Sequence, residues 1–131
     1  MFIKLKKNLP FLCLIIPSLV YANPQSGKVQ EYLNQLDEKI EFISTYVKAS
    51  KSYRKKREYT LQEQKDYTCN LKLLYSDLIK FQSQHLQLEM YSEVQKVNRE
   101  TEDTYHDIQR SLKKLQVSCS EEIINVPIEP F

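Results

Sequence analysis

The chain has three cysteines, and Cys13 lies in an N-terminal apolar run that we expect to be removed as part of a signal peptide. The other two, Cys69 and Cys119, are the side chains most able to do covalent chemistry. They do not form a C-x-x-C redox motif, because they lie far apart in the sequence. In an exported protein such a pair is usually oxidised to a disulfide. The bond would close a loop of about 50 residues and stabilise the folded state by roughly 3–4 kcal/mol.

Metal or haem binding would depend on His85 and Met90. His85 lies on the apolar side of one predicted helix, whereas His106 is about 120° from the apolar side of the next. The two rings are therefore not expected to meet in a core, and no C-x-x-C-H motif for covalent haem is present. A histidine satisfied by hydrogen bonds is the simpler interpretation of His85. We expect no metal and no cofactor, with His85 and Met90 as weak candidates.

The sequence lacks the usual motifs of catalytic sites. It has no Gly-rich phosphate loop, no G-x-S-x-G elbow and no H-E-x-x-H helix. Its one glycine, Gly27, comes early in the chain. Tight loops that gather a nucleophile, a base and an oxyanion hole are difficult to build without glycine. We therefore expect no enzymatic activity and no catalytic residue.

A cationic run between Lys48 and Thr60 is the remaining feature with binding chemistry. Its members are Lys48, Lys51, Arg54, Lys55, Lys56 and Arg57, interleaved with Tyr53 and Tyr59. The simplest interpretation is a solvated helix end followed by a loop. The functional alternative is contact with an anionic surface, either lipid head groups or an acidic protein patch. Nucleic acid is not expected, because the rest of the chain supplies no further cluster of cations for phosphates.

The first 22 residues have the three parts of a secretory signal peptide. Three lysines precede an apolar run over residues 9–20, and Ala22 ends a plausible cleavage site. The run is about a dozen residues long, against about 20 needed to span a bilayer, so a membrane anchor is the weaker alternative. Cleavage changes the formal net charge from +2 to −1, because 16 cationic and 17 acidic side chains remain. We expect a periplasmic or secreted protein, with the choice between these two open.

The remaining sequence predicts an all-α fold. No proline occurs between Pro24 and Pro127, and the turn residues that a β-rich chain needs are missing. Apolar residues recur at steps of three and four, which is typical of packed helices. We expect an antiparallel three-helix bundle within residues 23–119, with helices at about 27–57, 60–91 and 94–118. The first seam is Val29, Leu33, Leu36, Ile40, Ile43 and Val47.

The helix ends are predicted from possible capping boxes. Thr60 with Glu63 predicts the start of the second helix, and Ser92 with Gln95 predicts the start of a third. The alternative is a single long helix that continues through residue 91.

The cysteines favour the turn, because a turn at 91–94 would bring Cys69 and Cys119 level in a hairpin. Against this, Cys69 points away from the main seam, so the bond would require a reoriented second helix or an unwound third helix. An intermolecular disulfide in an elongated dimer is the alternative, and the sequence leaves monomer and dimer open.

Residues 120–131 form a different kind of segment, with Pro127 and Pro130 ending helical structure. We expect an extended tail that either lies along a groove of its own bundle or docks elsewhere. Ile128 and Phe131 are its candidate contact residues if it docks on a partner.

These features together favour a non-enzymatic protein-binding module of the cell envelope. An immunity-type inhibitor and a secretion or conjugation accessory protein both fit this description. The alternatives are a periplasmic helical-bundle metal or haem protein and an envelope chaperone. The candidate partner-binding residues are Arg54, Lys55, Lys56, Arg57, Tyr53, Tyr59, Ile128 and Phe131, and the partner is expected to be another protein of unknown identity.

Overall fold

The computed structural model describes residues 26–129 and contains three α-helices. They are α1 (Ser26–Lys56), α2 (Leu61–Ser83) and α3 (Ser92–Leu115), and a 3-10 helix, Leu86–Leu88, lies between α2 and α3. No β-strand occurs among these residues. The predicted all-α bundle with a disulfide is confirmed. No helix within residues 26–129 is long and apolar enough to cross a bilayer. The predicted signal segment, residues 1–22, lies outside the described residues.

The apolar face of α1 is the predicted seam. All six of its members are buried: Val29, Leu33, Leu36, Ile40, Ile43 and Val47. Their spacing places them on one side of the helix, which packs onto the other two helices. Near the start of α1, the Tyr32 hydroxyl donates a hydrogen bond to Asn98 Oδ1 of α3 at 2.8 Å. The N-terminal ends of α1 and α3 therefore lie together, and α2 runs in the opposite direction.

The α2 helix begins with the predicted capping box. The Glu63 N–H donates to Thr60 Oγ1 at 3.1 Å, and the Thr60 N–H donates to Glu63 Oε1 at 2.8 Å. Two N–H groups that the helix leaves unpaired are thereby satisfied. Further along α2, Gln82 Nε2 donates to Thr101 Oγ1 at 3.0 Å inside the α2–α3 interface. This buried hydrogen bond fixes the register of the two closely packed helices.

The second helix is shorter than the predicted range of 60–91, because α2 ends at Ser83. The N–H groups of Gln84 and His85 bond to carbonyl groups three residues back, which tightens the helix end into the 3-10 turn. The corner buries Leu88 and leaves Met90 71% exposed. The apolar residues between 84 and 91 therefore belong to a turn that reverses the chain, and a single long helix is excluded.

The predicted capping box of Ser92 with Gln95 is wrong. Tyr91 occupies the N-cap of α3 and makes no side-chain capping bond. The Gln95 side chain instead donates to the carbonyl oxygen of Glu89 in the preceding corner, at 2.6 Å.

The α3 helix ends at Leu115, before the predicted residue 118. Gln116 takes the left-handed conformation, with φ 54° and ψ 52°, and redirects the chain. Cys119 then reaches Cys69 of α2, with a Cα–Cα distance of 5.4 Å. The intramolecular disulfide is confirmed, and the unwound end of α3 explains how a cysteine off the main seam of α2 is bonded.

The tail follows Cys119 and is extended over its described residues, 120–129. It crosses α2 at Asn70 and continues to the C-terminal end of α1, where the Glu129 N–H donates to the Ala49 carbonyl at 3.0 Å. The tail therefore lies along its own bundle, which is the first of the two arrangements that the sequence allowed.

Candidate partner-binding site at the basic end of the bundle

The cationic run lies at the C-terminal end of α1, as predicted. Because α1 and α3 run in the same direction, the last turn of α3 adds Lys113 and Lys114 at this end. Leu115 of α3 lines the same cleft as Arg54, which confirms that the two helix ends are adjacent. We call this surface the basic end and define it by Lys48, Lys51, Arg54, Lys55, Lys56, Arg57, Lys113 and Lys114.

All eight side chains of the basic end are exposed. They are half of the 16 cationic side chains between residues 26 and 129. Within this described range, Lys56 is the one member with an ion-pair partner, Glu129 of the tail. Two helix C-termini carry partial negative charge here, which the cations complement. The remaining positive charge faces solvent.

Arg54 differs from its neighbours because its guanidinium group lies on aromatic rings. Its Cζ is 5.5 Å from the ring centre of Tyr59 and 5.4 Å from that of Tyr67. Its Nε donates a long hydrogen bond of 3.4 Å to the Ser50 carbonyl. Cation–π attraction and stem packing thus make Arg54 part of the fold as well as part of the basic end.

Tyr59, one of the predicted contact residues, is buried beneath the tail. It is 6% exposed, and its hydroxyl donates to the Pro127 carbonyl at 2.6 Å. The same oxygen lies 2.9 Å from Ser50 Oγ, whose hydroxyl is placed to donate to it. Tyr53 remains partly exposed, with its ring 5.6 Å from that of Tyr59. Tyr53 is therefore accessible at the surface, whereas Tyr59 holds the tail.

A cleft of about 520 Å³ opens where the three helices meet at this end. It is lined by Arg54, Glu58, Tyr59, Gln64, Tyr67, Thr68 and Leu115. Burial raises the pKa of Tyr67 to about 12 and also raises the pKa of Tyr46, which stacks on it. Both phenols are protonated at neutral pH, so they serve as hydrogen-bonding and stacking groups and not as bases.

The tail is acidic, and its Glu129 pairs with Lys56 of the basic end. Glu121, Glu122 and Glu129 are its charged side chains, and residues 116–131 contain no lysine or arginine. Asn70, which is 1% exposed, bonds the main chain of Ile124 with both atoms of its amide. Asn70 Nδ2 also lies 2.9 Å from the Tyr46 hydroxyl. An acidic segment is thus already held against this surface.

The other candidate contact residues differ in how exposed they are and in whether the structure describes them. Lys55 and Arg57 are exposed, as a binding role requires. Ile128 is 43% exposed at the end of the tail. Phe131 lies outside the described residues.

The weak metal candidates are not brought into a shared site. Nδ1 of His85 lies 2.9 Å from the Phe81 carbonyl and donates to it, while its ring lies against Tyr32 and Phe81. Met90 projects from the corner into solvent. Within residues 26–129, no three His, Cys, Asp or Glu side chains are grouped as a metal site would require. His85 is a hydrogen-bonded histidine at a helix end, as the simpler interpretation predicts.

Three residues of this region were not predicted from the sequence. Lys113 and Lys114 are recognisable once the up–down–up topology is applied, because that topology places the C-terminal ends of α1 and α3 together. Asn70 carried a weaker signal, as a polar residue beside a disulfide cysteine on a helix.

No protein-family model, curated protein or solved structure matches this chain.

Proposed function

We propose that this protein is an exported, non-enzymatic binding module whose basic end binds an acidic surface of another protein. The observation that supports this most is the gathering of eight exposed cations at one end of a chain whose residues 26–129 carry a net charge of −1. Such separation of charge accelerates association and selects partners of opposite charge. The partly exposed ring of Tyr53 adds an amphipathic contact of the kind enriched at interfaces.

Two features support the export. The first 22 residues have the pattern of a cleaved signal, and the Cys69–Cys119 bond is of a kind that persists in oxidising compartments. A periplasmic or secreted location follows as part of the proposal. An immunity-type inhibitor or a secretion or conjugation accessory protein would use a small, disulfide-bonded module with one basic end in this way.

The experiment uses a photo-crosslinking amino acid at Lys51, in protein expressed and exported in its native cells. Crosslinked proteins are identified by mass spectrometry, and the pair is rebuilt from purified components. The test variant carries Lys55→Glu, Arg57→Glu and Lys113→Glu. The control carries Lys28→Glu, Lys96→Glu and Arg99→Glu, three exposed cations towards the opposite end with the same change in net charge.

We expect one acidic protein to crosslink at Lys51, with a yield that falls as ionic strength rises, because salt screens exposed charges. The test variant should lose the crosslink and the control should keep it. If both variants crosslink equally at low and high salt, the basic end is only a solvated surface and the proposal fails.

A further inference from the structure

Apart from one ion pair, the hydrogen bonds that hold the tail all go to its main chain. Asn70 pairs with the N–H and C=O of Ile124, Tyr59 donates to the C=O of Pro127, and the Ala49 carbonyl accepts from the N–H of Glu129. The charged pair of Lys56 with Glu129 is the additional side-chain contact. We call the surface formed by Ala49, Tyr59 and Asn70, with Lys56 at its end, the tail slot.

Hydrogen bonds to main-chain atoms recognise an extended conformation and not a particular sequence, as in peptide recognition by strand addition. Ile123 and Ile128 add little specificity, because they are 58% and 43% exposed. Ile124, Val126 and Pro127 are partly buried, so the slot also favours apolar residues at these positions.

What the slot does select is negative charge, since Lys56 of the basic end pairs with Glu129, and residues 124–129 carry this one acid and no cation. An extended acidic segment with apolar residues at the matching positions satisfies the same contacts.

We propose that the tail slot is a peptide-binding site for an extended acidic segment of a partner protein, and that residues 124–129 occupy it as a displaceable internal ligand. This inference rests on the proposed binding function and specifies how the partner is held. A second copy of this chain is a poor occupant, because two basic ends would repel each other. The Cys69–Cys119 bond also retains each tail beside its own Asn70.

The disulfide determines how strongly the tail competes with an external segment for the slot. Cys119 is fixed to Cys69, so the short linker to Ile124 gives the tail a high effective concentration at the slot. If the tail fills the slot about 90% of the time, a competing segment binds about tenfold more weakly than it would to the open slot. Weakening the tail should therefore strengthen the binding of an external peptide.

The probe is a fluorescein-labelled peptide with the sequence of residues 121–131, EEIINVPIEPF, added to the full chain with its disulfide intact. The tail-released variant carries Ile124→Pro, which removes the N–H that donates to Asn70, and Glu129→Lys, which repels Lys56. We expect fluorescence anisotropy to show at least tenfold tighter binding to this variant than to the unmodified chain. A peptide with its three glutamates replaced by lysine should not bind.

Two further substitutions in the tail-released variant locate the bound peptide. Tyr59→Phe removes the hydroxyl that donates to the ligand and keeps the ring, and Asn70→Ala removes the paired amide. Each should weaken peptide binding by about fivefold to tenfold, the usual effect of one or two hydrogen bonds. The control is Gln62→Ala, because Gln62 is exposed on α2 and bonds only Asp66. Circular dichroism confirms that each variant is folded, and Tyr59→Phe remains informative if Asn70→Ala is not.

Three results would overturn the inference. The first is a folded tail-released variant that does not bind the peptide, and the second is binding that neither slot substitution weakens. The third is dimerisation of the tail-released variant in sedimentation, because the slot would then prefer a second copy.

If the Lys51 crosslink survives Tyr59→Phe but not the basic-end reversals, the binding function stands and the slot is not its site. Loss of peptide binding on Tyr59→Phe without any crosslinked partner would uphold the slot and refute the proposed function.

Discussion

Asn70 and Ile124 are joined by two hydrogen bonds across 54 positions of sequence. Asn70 Nδ2 donates to the Ile124 carbonyl at 2.7 Å, and the Ile124 N–H donates to Asn70 Oδ1 at 2.9 Å. A side-chain amide has the same donor and acceptor as a peptide unit, so Asn70 pairs with the tail as a neighbouring strand would. A single residue within a helix thus fixes one point along an extended segment.

Replacing Asn70 by alanine should loosen the tail before it affects the helices. We expect the free energy of unfolding to fall by about 1–3 kcal/mol, because both bonds are lost and buried groups are left unpaired. Hydrogen exchange at the Ile124 and Glu129 amides should accelerate most. Urea denaturation and amide exchange measure these effects, with Gln62→Ala as the neutral control. Unchanged protection at Ile124 would contradict the pairing.

The disulfide should be internal to one chain and should contribute to stability. Non-reducing electrophoresis of the exported protein should give a monomer. Replacing Cys69 and Cys119 together by alanine should lower the free energy of unfolding by roughly 2–4 kcal/mol, as expected for a bond that closes a long loop. A covalent dimer would show that the cysteines pair between chains.

Arg54 and its neighbours should respond differently to substitution. Arg54→Ala removes contacts with the Tyr59 and Tyr67 rings and should cost about 1 kcal/mol. Lys55→Ala with Arg57→Ala should change stability by no more than about 0.5 kcal/mol, because both side chains are exposed. Thermal and urea denaturation compare the two proteins. Equal losses would mean that the ring contacts contribute nothing.

Stability should decrease at alkaline pH. Burial raises the pKa of Tyr67 to about 12, above the ordinary value of 10.0, and also raises the pKa of Tyr32 and Tyr75. The unfolded chain therefore loses phenol protons first, so the free energy of unfolding is intact below pH 10 and falls between about pH 10 and 12. Denaturation across this range, with tyrosinate absorbance as the monitor, measures the slope. Tyr67→Phe should make it shallower, and an unaltered slope would mean that Tyr67 titrates normally.

Processing of the N-terminal segment is a separate prediction. Protein recovered from the periplasm or medium should begin at Asn23, because the apolar run is too short to span a bilayer and ends in a plausible cleavage site. Intact-mass spectrometry measures the N-terminus directly. Recovery of a chain that retains residues 1–22 would refute cleavage.

The sequence predicted best where one physical signal acts alone. The α1 seam has no competing pattern, so its spacing identified the buried face correctly, and the Thr60–Glu63 capping box marked the true start of α2. The corner at 84–91 was harder, since it contains no glycine or proline and its apolar residues continue the helical spacing. Packing of α3 on α2 decides that turn, and single-sequence periodicity does not report packing.

The candidate site was only partly predictable for a related reason. The cations of α1 are neighbours in the sequence, so they were identified from it. Lys113 and Lys114 lie near them only because the fold places the ends of α1 and α3 together. The burial of Tyr59 was not predicted, because an aromatic residue among lysines resembles a surface residue. Its burial depends on the tail that returns from 68 positions further along the chain.

The covalent loop also divides the molecule mechanically. The bond joins residues 50 positions apart, and that loop contains most of α2, the corner and all of α3, whereas α1 lies outside it. A force applied to the two ends of the chain would pass through the sulfur atoms and leave the loop slack. Stretching would separate α1 and the tail from the loop closed by the disulfide. The loop itself could not extend, so the stretched chain would be shorter by about 170 Å of contour length, at 3.3–3.6 Å per residue. In an optical trap the oxidised protein should therefore extend less than the reduced protein by that length.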